Sequence, residues 1–299
     1  MAEIFLARVH GEAGFHRKVI IKKILPQYAG SREFQRMFVD EATIASRLNH
    51  ANIAQVYDFD IHEGTPYIAM EFVEGKDLRE ILRTSHSLPR PVPYPVAVYL
   101  TLEAAKGLYY VHSRRESSRP LNIIHRDVSP QNIMLSFSGE VKIVDFGIAR
   151  AVERETETVA GTIKGKYAYM SPEQLGGELI DHRTDIFSLG IVLWEMLTLE
   201  RLFSARTDGE TINNVLRRQI PEPHMVRPDI PAALSPIVMC ALERNRSNRY
   251  PTMLAFHEAL SSFLFETGSY PELERVTTFL SGLFPKEIEA LRQGEHLTF

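Results

Sequence analysis

Two short strings contain side chains that could do chemistry in this sequence. Residues 125–132 read His-Arg-Asp-Val-Ser-Pro-Gln-Asn, and Asp145 begins the string Asp-Phe-Gly, 18 positions after Asp127. The carboxylate of Asp127 can accept a proton from a hydroxyl group, whereas Asn132 and Asp145 offer the hard oxygen atoms that Mg²⁺ prefers. A proton acceptor beside two magnesium ligands is what phosphoryl transfer needs. These residues therefore predict a site that moves a phosphoryl group onto a hydroxyl.

A charged residue interrupts an apolar helical face nearer the N-terminus. Apolar residues recur at helical spacing over residues 31–48, with Ser31 at a possible N-cap, and Glu41 falls within this stripe. A carboxylate on the inward face of a helix is costly without a cationic partner. Lys22, at the end of the strand-like run Val-Ile-Ile-Lys, is the natural partner. An ordinary surface ion pair is the alternative interpretation.

The elements that must position these residues change type along the chain. A small β-rich part is followed by a hinge and then by a mostly helical part, in which two short strands bring Asn132 and Asp145 to the same edge. The predicted strands are 4–9, 18–24, 53–59, 66–73, 131–135 and 141–144. The predicted helices are 31–48, 96–112, 184–198, 210–219, 233–243, 252–265, 271–283 and 286–292, with a Pro-rich loop at 89–95 and an exposed polar insertion at 114–120.

Length and composition describe an ordinary folded chain. The 299 residues are 44% apolar, which suits about two core-forming units. With 34 basic and 38 acidic residues the net charge is −4, so no positive field would attract nucleic acid or an anionic membrane. No apolar run reaches roughly the 18 residues of a membrane-spanning helix, and the first residues lack a basic-then-apolar leader. We therefore expect a cytoplasmic protein with no membrane segment in this chain and no nucleic-acid partner.

The chain resembles the bacterial serine/threonine protein kinases of the eukaryotic type over about residues 1–268. The two strings above, Lys22, Glu41, the tripeptide Ser-Pro-Glu ending at Glu173, and Asp185 occur in the order of that family. The resemblance implies an α+β, two-lobed protein kinase-like fold with a β-rich N-lobe and a large helical C-lobe. It implies an N-lobe at 1–70, a hinge at 71–75, a C-lobe at 76–268 and a C-terminal helical extension at 269–299.

The resemblance also implies an activity and its participants. ATP and Mg²⁺ would be the cofactors, and the γ-phosphate would pass to serine or threonine hydroxyls of protein substrates. The implied catalytic base is Asp127, and the implied metal ligands are Asn132 and Asp145. The implied ATP-binding residues are Lys22, Glu41, Ile4, Ile20, Met70, Glu71, Val73 and Met134. The implied structural residues are Phe146 behind the metal site, Glu173 paired with Arg249, and Asp185 holding the backbone of the His-Arg-Asp turn.

The sequence departs from the family in three places. The chain begins Met-Ala-Glu-Ile, so we expect the family's first strand and glycine-rich loop over the phosphates to be missing, with Ala2 at the third glycine position. Either translation starts at an internal methionine of a longer product, which we favour, or the protein is a catalytically weak, pseudokinase-like binding module. Ile20 replaces a small alanine next to adenine and could narrow the pocket, although strand propensity explains it equally well.

The third departure lies in the catalytic loop. Ser129 stands where serine/threonine kinases usually have a lysine, and Lys166 stands where they usually have a threonine. We hypothesise that Lys166 supplies the missing charge near the γ-phosphate and is in this sense catalytic. A solvated loop lysine is an equal alternative.

Regulation is predicted at the residues around the catalytic aspartate. Arg126 precedes Asp127, an arrangement that lets a phosphorylated activation loop bind a positive pocket. Thr156, Thr158 and Thr162 are candidates for that phosphate, with Thr162 preferred, although an unmodified acidic loop is the alternative. A small-molecule kinase of the aminoglycoside type would share the Asp-to-Asn spacing, but the Ser-Pro-Glu string followed by Asp185 argues against it.

Overall fold

The computed structural model describes residues 2–11, 16–88, 90–146 and 166–293. Their strands and helices form a β-rich N-lobe and a helical C-lobe. The strands are β1 (Ala2–His10), β2 (His16–Ile24), β3 (Val56–His62), β4 (Thr65–Glu71), β5 (Gly75–Asp77), β6 (Arg115–Glu116), β7 (Arg119–Pro120), β8 (Ile133–Ser136) and β9 (Val141–Ile143). The helices are α1 (Pro26–Ala29), α2 (Arg32–Ser46), α3 (Leu78–Ser87), α4 (Tyr94–His112), α5 (Pro172–Gly176), α6 (Arg183–Thr198), α7 (Asp208–Arg217), α8 (Pro223–Val226), α9 (Leu234–Ala241), α10 (Met253–Glu266), α11 (Leu273–Leu283) and α12 (Pro285–Arg292).

The N-lobe is an antiparallel sheet of four described strands with helix α2 packed against it. The strand order is β1-β2-β4-β3, and apolar residues of β2, β3 and β4 bury one face of the sheet. Phe38 and Ala42 of α2 join Ile24 and Ile68 of the sheet in one apolar cluster. The extended Ser31 occupies the N-cap position of α2, but its side chain makes no capping hydrogen bond.

The C-lobe is organised around α6. Every residue from Thr184 to Thr198 is buried, because α6 is apolar nearly all round and lies among α4, α9 and α10. One continuous apolar core extends from Leu78 to Phe284. Helix α11 contributes Val276 and Leu280 to that core, so the helices after residue 268 lie on this lobe.

A three-stranded sheet, β5-β8-β9, lies where the two lobes meet. Strand β5 begins with Gly75, where an added Cβ atom would lie 2.1 Å from the carbonyl oxygen of Leu135. Only glycine allows such a close approach of the two backbones, so Gly75 fixes the start of the C-lobe against β8. The hairpin of β8 and β9 then runs from Asn132 to the residues before Asp145.

The structure confirms the predicted α+β, two-lobed protein kinase fold, and several element boundaries differ from those predicted. The strand predicted at 53–59 has the wrong boundaries, because β3 begins three residues later and runs over Val56–His62. Residues 52–54 instead bond to Ile143 of β9. Helix α4 begins at Tyr94, inside the predicted loop, because a proline is tolerated in the first helical turn. The short helix α1 was not predicted, and the polar insertion at 114–120 contains the hairpin of β6 and β7.

No helix in the described part of the chain is both long and apolar enough to cross a membrane.

Candidate active site

Three charged side chains from three separate elements meet between the lobes. The ammonium of Lys22 in β2 lies 2.7 Å from Oε1 of Glu41 in α2 and 2.8 Å from Oδ1 of Asp145, which follows β9. The side chains of Lys22 and Glu41 are only 13% and 11% exposed, so this is a largely desolvated cluster. An unpaired charge at this depth would be strongly destabilising, which explains why the three groups converge.

Proton affinities within the cluster follow from burial and charge. Burial acts to lower the pKa of Lys22, but the charges of Asp145 and Glu41 outweigh it and hold the pKa above its usual value. Lys22 is therefore an ammonium at neutral pH. Burial raises the pKa of Glu41, and the positive charge of Lys22 opposes this shift. A protonated lysine held between two carboxylates is a preformed cationic site for a phosphate group.

The buried carboxylate of Asp185 fixes the turn that contains Asp127 by accepting hydrogen bonds from its backbone. The backbone N–H groups of His125 and Arg126 donate to Asp185 over 2.9 Å each. His112 contacts the same carboxylate, with its Nε2 at 2.7 Å from Oδ2. Burial alone would raise the pKa of Asp185, but the hydrogen bond and charge of His112 and the backbone N–H of His125 lower it overall. The ionised Asp185 therefore holds Arg126 in a left-handed conformation with φ of 67°.

Asn132 and Asp145 are brought together by the hairpin of β8 and β9. Nδ2 of Asn132 donates to the backbone oxygen of Asp127 at 2.8 Å, which leaves Oδ1 of Asn132 for another partner. The backbone N–H of Val144 donates to the backbone oxygen of Asn132 at 3.0 Å, so Asp145 follows directly beside it. Phe146 is 3% exposed and packs on the ring of His125 with centroids 4.8 Å apart. The predicted metal ligands thus lie on one edge, with Phe146 behind them.

These residues suit a magnesium ion that is shared with a nucleotide. Among the described residues there is no group of three or more His, Cys, Asp or Glu side chains that could hold a metal. Asn132 and Asp145 supply two hard oxygen ligands, and Mg²⁺ commonly completes such a site with phosphate oxygens and water.

Four of the residues predicted to contact the nucleotide share one face of the N-lobe sheet. Ile4 is the cross-strand partner of Lys22, and Ile20 is that of Met70, so these side chains lie on the face that carries the ammonium. Ile4 is 61% exposed, whereas Ile20 and Met70 are half-buried. Met134 of β8 is also half-buried.

The hinge between β4 and β5 contains one residue with free backbone groups. Within the described part of the chain, neither the N–H nor the C=O of Val73 has a backbone partner, although the residue is only 8% exposed. Such groups need a partner when they are covered, and a bound base could provide one. Glu71 differs, because its N–H donates to Gln55 and its carboxylate binds Lys142 at 2.9 Å.

A buried ion pair supports the segment that follows the catalytic residues. Arg249 binds both carboxylate oxygens of Glu173 at 2.7 and 2.8 Å, and the two side chains are 0% and 4% exposed. Gln174, the next residue of α5, donates to the backbone oxygen of Arg126 at 3.0 Å. The Ser-Pro-Glu helix is therefore connected to the catalytic turn through Gln174, a contact that the sequence did not predict.

Some predicted residues cannot be placed. The backbone of Lys166 begins a short 3₁₀ turn that ends at Tyr169, and its side chain lies outside the described structure. Thr156, Thr158 and Thr162 lie outside the described residues altogether.

The sequence also missed His112 and the ion pairs Lys18–Glu74 and Lys142–Glu71 beside the hinge. No local pattern marks these residues, because their partners are distant in sequence.

A β-sheet lobe and a helical lobe with a lysine, a glutamate and an aspartate converging between them define a protein kinase. The family described as "Protein kinase domain" matches residues 10–263, and the chain belongs to this family in its bacterial, eukaryotic-type branch.

The chain is similar to several named proteins. It is 42% identical over 288 residues to tyrosine-protein kinase MasK of Myxococcus xanthus, covering 96% of this chain and 45% of MasK. It is 35% identical over 284 residues to serine/threonine-protein kinase PknB of Mycobacterium tuberculosis, covering 93% of this chain and 43% of PknB. The chain therefore spans less than half the length of these relatives. The crystal structure of the M. tuberculosis PknI kinase domain matches with a TM-score of 0.65 at 26% identity, covering 88% of this chain and 90% of that one.

Proposed function

We propose that this chain is an active kinase domain that transfers the γ-phosphate of ATP to serine and threonine hydroxyls of proteins. The observation that carries the proposal is Lys22, held within 2.8 Å of both Glu41 and Asp145 at the junction of the lobes. A chain freed from catalysis would in addition have no physical need for Asp127, Asn132 and Asp145 together.

Each residue of the site has a role in this proposal. Lys22 binds the α- and β-phosphates, and the backbone of Val73 binds adenine between Ile4, Ile20, Met70 and Met134. Asn132 and Asp145 would hold Mg²⁺, which would neutralise charge on the phosphates. Asp127 orients the acceptor hydroxyl and takes its proton.

The proposal is tested by measuring binding and transfer on the same preparation. We expect Mg-ATP to raise the melting temperature of the chain and labelled phosphate to appear on a generic basic protein, with both effects lost when EDTA removes magnesium. A thermal shift without transfer would contradict the proposal and favour the pseudokinase-like binding module.

Tyrosine is a second candidate acceptor. PknB is named a serine/threonine kinase, but MasK is named a tyrosine kinase and is more similar to this chain. The replacement of the usual lysine by Ser129 weakens the likeness to serine/threonine kinases. Ser129 is 3% exposed, and its hydroxyl has no hydrogen-bond partner among the described residues. Phosphoamino acid analysis of the labelled product separates the two, and phosphotyrosine without phosphoserine or phosphothreonine would overturn the serine/threonine assignment.

Lys166 is proposed to supply the positive charge that Ser129 lacks. Lys166→Met should then lower turnover by about 10²-fold, the loss typical of one electrostatic contact to the transferred group. The double variant Ser129→Lys/Lys166→Thr should recover most of the activity, because it restores the family's usual arrangement. Unchanged turnover in Lys166→Met would refute this role.

Activation-loop phosphorylation forms the regulatory part of the proposal. The guanidinium of Arg126 has no partner among the described residues, so it can receive a phosphate from Thr162, Thr158 or Thr156. Such a contact would order the loop beside Asp127.

A further inference from the structure

The exposed hairpin of β6 and β7 has no part in the site described above. It follows α4 and consists of two short strands joined by Ser117 and Ser118, whose φ angles are 46° and 72°. Both serines are exposed at the tip of the turn. Left-handed conformations suit glycine or asparagine in a two-residue hairpin, so the chain keeps two hydroxyls at positions where another residue type would be more stable.

Arginine side chains with unused donors surround this turn. Arg115 and Arg119 are exposed, and their guanidinium groups have no hydrogen-bond or ion-pair partner among the described residues. The half-buried Arg114, which precedes β6, has a buried Nε that also lacks a partner in the described structure. The exposed Arg115 and Arg119 therefore offer donors to an anion, and Glu116 is the only acidic residue within the hairpin.

The hairpin already touches the N-lobe through its one carboxylate. Nη1 of Arg47 lies 3.4 Å from Oε1 of Glu116, and the two side chains are 56% and 64% exposed. This long, solvated contact contributes little by itself. Glu116 and Arg119 are direct cross-strand partners, so both side chains lie on the face of the hairpin that meets Arg47. A phosphate at the tip would therefore lie near Arg47 and Arg119.

Arg47 connects this surface to the active site. It is the C-cap residue of α2, the helix whose Glu41 binds Lys22 at 2.7 Å. An anion that holds Arg47 would attach the end of α2 to the C-lobe, and would thereby favour the position of α2 in which Glu41 reaches Lys22.

We propose that Ser117 or Ser118 is an autophosphorylation site, and that its phosphate binds Arg47 and Arg119 to hold α2 in place. This inference rests on the proposed kinase activity. Asp127 takes the proton of the serine hydroxyl, and a bond forms between the serine oxygen and the γ-phosphorus of ATP. The bond from that phosphorus to the bridging oxygen breaks, and ADP leaves. The product carries close to two negative charges at neutral pH, against one on Glu116.

The donor is a second copy of the chain. The base of the hairpin is closed by a hydrogen bond of 2.9 Å from the N–H of Leu121 to the oxygen of Arg114. A few residues after the hairpin, the turn that contains Asp127 is held by hydrogen bonds from the backbone N–H groups of His125 and Arg126 to Asp185. With both ends fixed, the serines cannot reach the Asp127 of their own chain.

Mass spectrometry of the full chain tests the modification. After incubation with Mg-ATP, peptides spanning residues 114–121 should carry phosphate. The variant Asp127→Asn should remain unmodified alone and become modified when mixed with wild-type chain. If the chain labels a generic protein while these peptides stay unmodified, the inference fails and the proposed function stands. If no protein is labelled at all, both fail.

A second measurement tests the contact independently of catalysis. A chain made with phosphoserine at position 117 or 118 should melt roughly 2–4 °C higher than the unmodified chain at low salt. The increase should disappear in 1 M salt and in Arg47→Met, and should persist in the matched control Arg36→Met, which removes an exposed arginine from the same helix. No increase for either phosphoserine would overturn the proposed contact.

Discussion

Replacing Asp127 with asparagine should lower the rate of phosphotransfer by about 10²–10⁴-fold, because asparagine cannot accept the proton of the acceptor hydroxyl. The backbone of residue 127 should keep its place, since its carbonyl oxygen accepts a hydrogen bond of 2.8 Å from Asn132. We therefore expect the melting temperature and the thermal shift with Mg-ATP to change little. Steady-state turnover on a generic protein substrate measures the effect.

The matched control for this variant is Asp60→Asn. Asp60 is an exposed carboxylate in β3 that accepts a hydrogen bond from the backbone of Ile61, a contact that asparagine also makes. Its turnover should equal that of the wild-type chain. If Asp127→Asn retained more than about a tenth of the wild-type rate, Asp127 would not be the proton acceptor.

The largest effect on stability is expected at the ion pair between Arg249 and Glu173. Arg249→Met leaves the carboxylate of Glu173 buried without its partner, a change that typically costs about 3–5 kcal/mol of the free energy of unfolding. Three backbone oxygens that accept from Arg249, those of Arg183, Glu243 and Arg244, would also lose a donor. We expect the melting temperature to fall by roughly 10 °C, measured by thermal unfolding at pH 7.

The pH dependence of this difference identifies its cause. Burial acts to raise the pKa of Glu173, but the hydrogen bonds and charge of Arg249 outweigh it and lower the pKa. A carboxyl group with a lowered pKa stabilises the folded chain above about pH 4.3, the pKa of an unfolded glutamate, and loses that contribution as the pH falls further. In Arg249→Met, Glu173 loses the partner that lowers its pKa. The difference in melting temperature should therefore narrow between pH 7 and about pH 3.

An exposed pair provides the control for the buried one. Arg83 and Glu80 lie one helical turn apart in α3, and the side chain of Arg83 is 74% exposed. Arg83→Met should leave the melting temperature unchanged at either pH, because solvent already screens that pair. Equal losses in the two variants would mean that burial is not the source of the effect.

The sequence predicted the ion pair of Lys22 and Glu41 because one physical rule was decisive there. A glutamate on the apolar face of α2 requires a cation, and the strand lysine Lys22 was the natural candidate, so the pair followed from the cost of a buried charge. The short spacing from Asn132 to Asp145 predicted a hairpin that delivers both to one edge, and the structure has β8 and β9 there.

Other features depend on contacts that no local pattern encodes. The bond from His112 to Asp185 joins residues 73 positions apart, and the ion pair of Lys18 and Glu74 joins residues 56 positions apart. The strand predicted at 53–59 failed for a related reason. Its β-rich composition was correct, but hydrogen bonds to Ile143 occupy its first residues, and the ladder of β3 with β4 begins only at Val56.

The bonds around Ile143 have a mechanical consequence. Its N–H donates to the oxygen of Asn52 and its oxygen accepts from the N–H of Ala54, each over 2.9 Å, so the chain just before β3 is joined to β9. The two lobes are thus connected both through the covalent hinge and through this non-covalent joint. Because these backbone hydrogen bonds add to the side-chain pairs between the lobes, such as Lys22 with Asp145, sliding of one lobe over the other at Ile143 should be resisted.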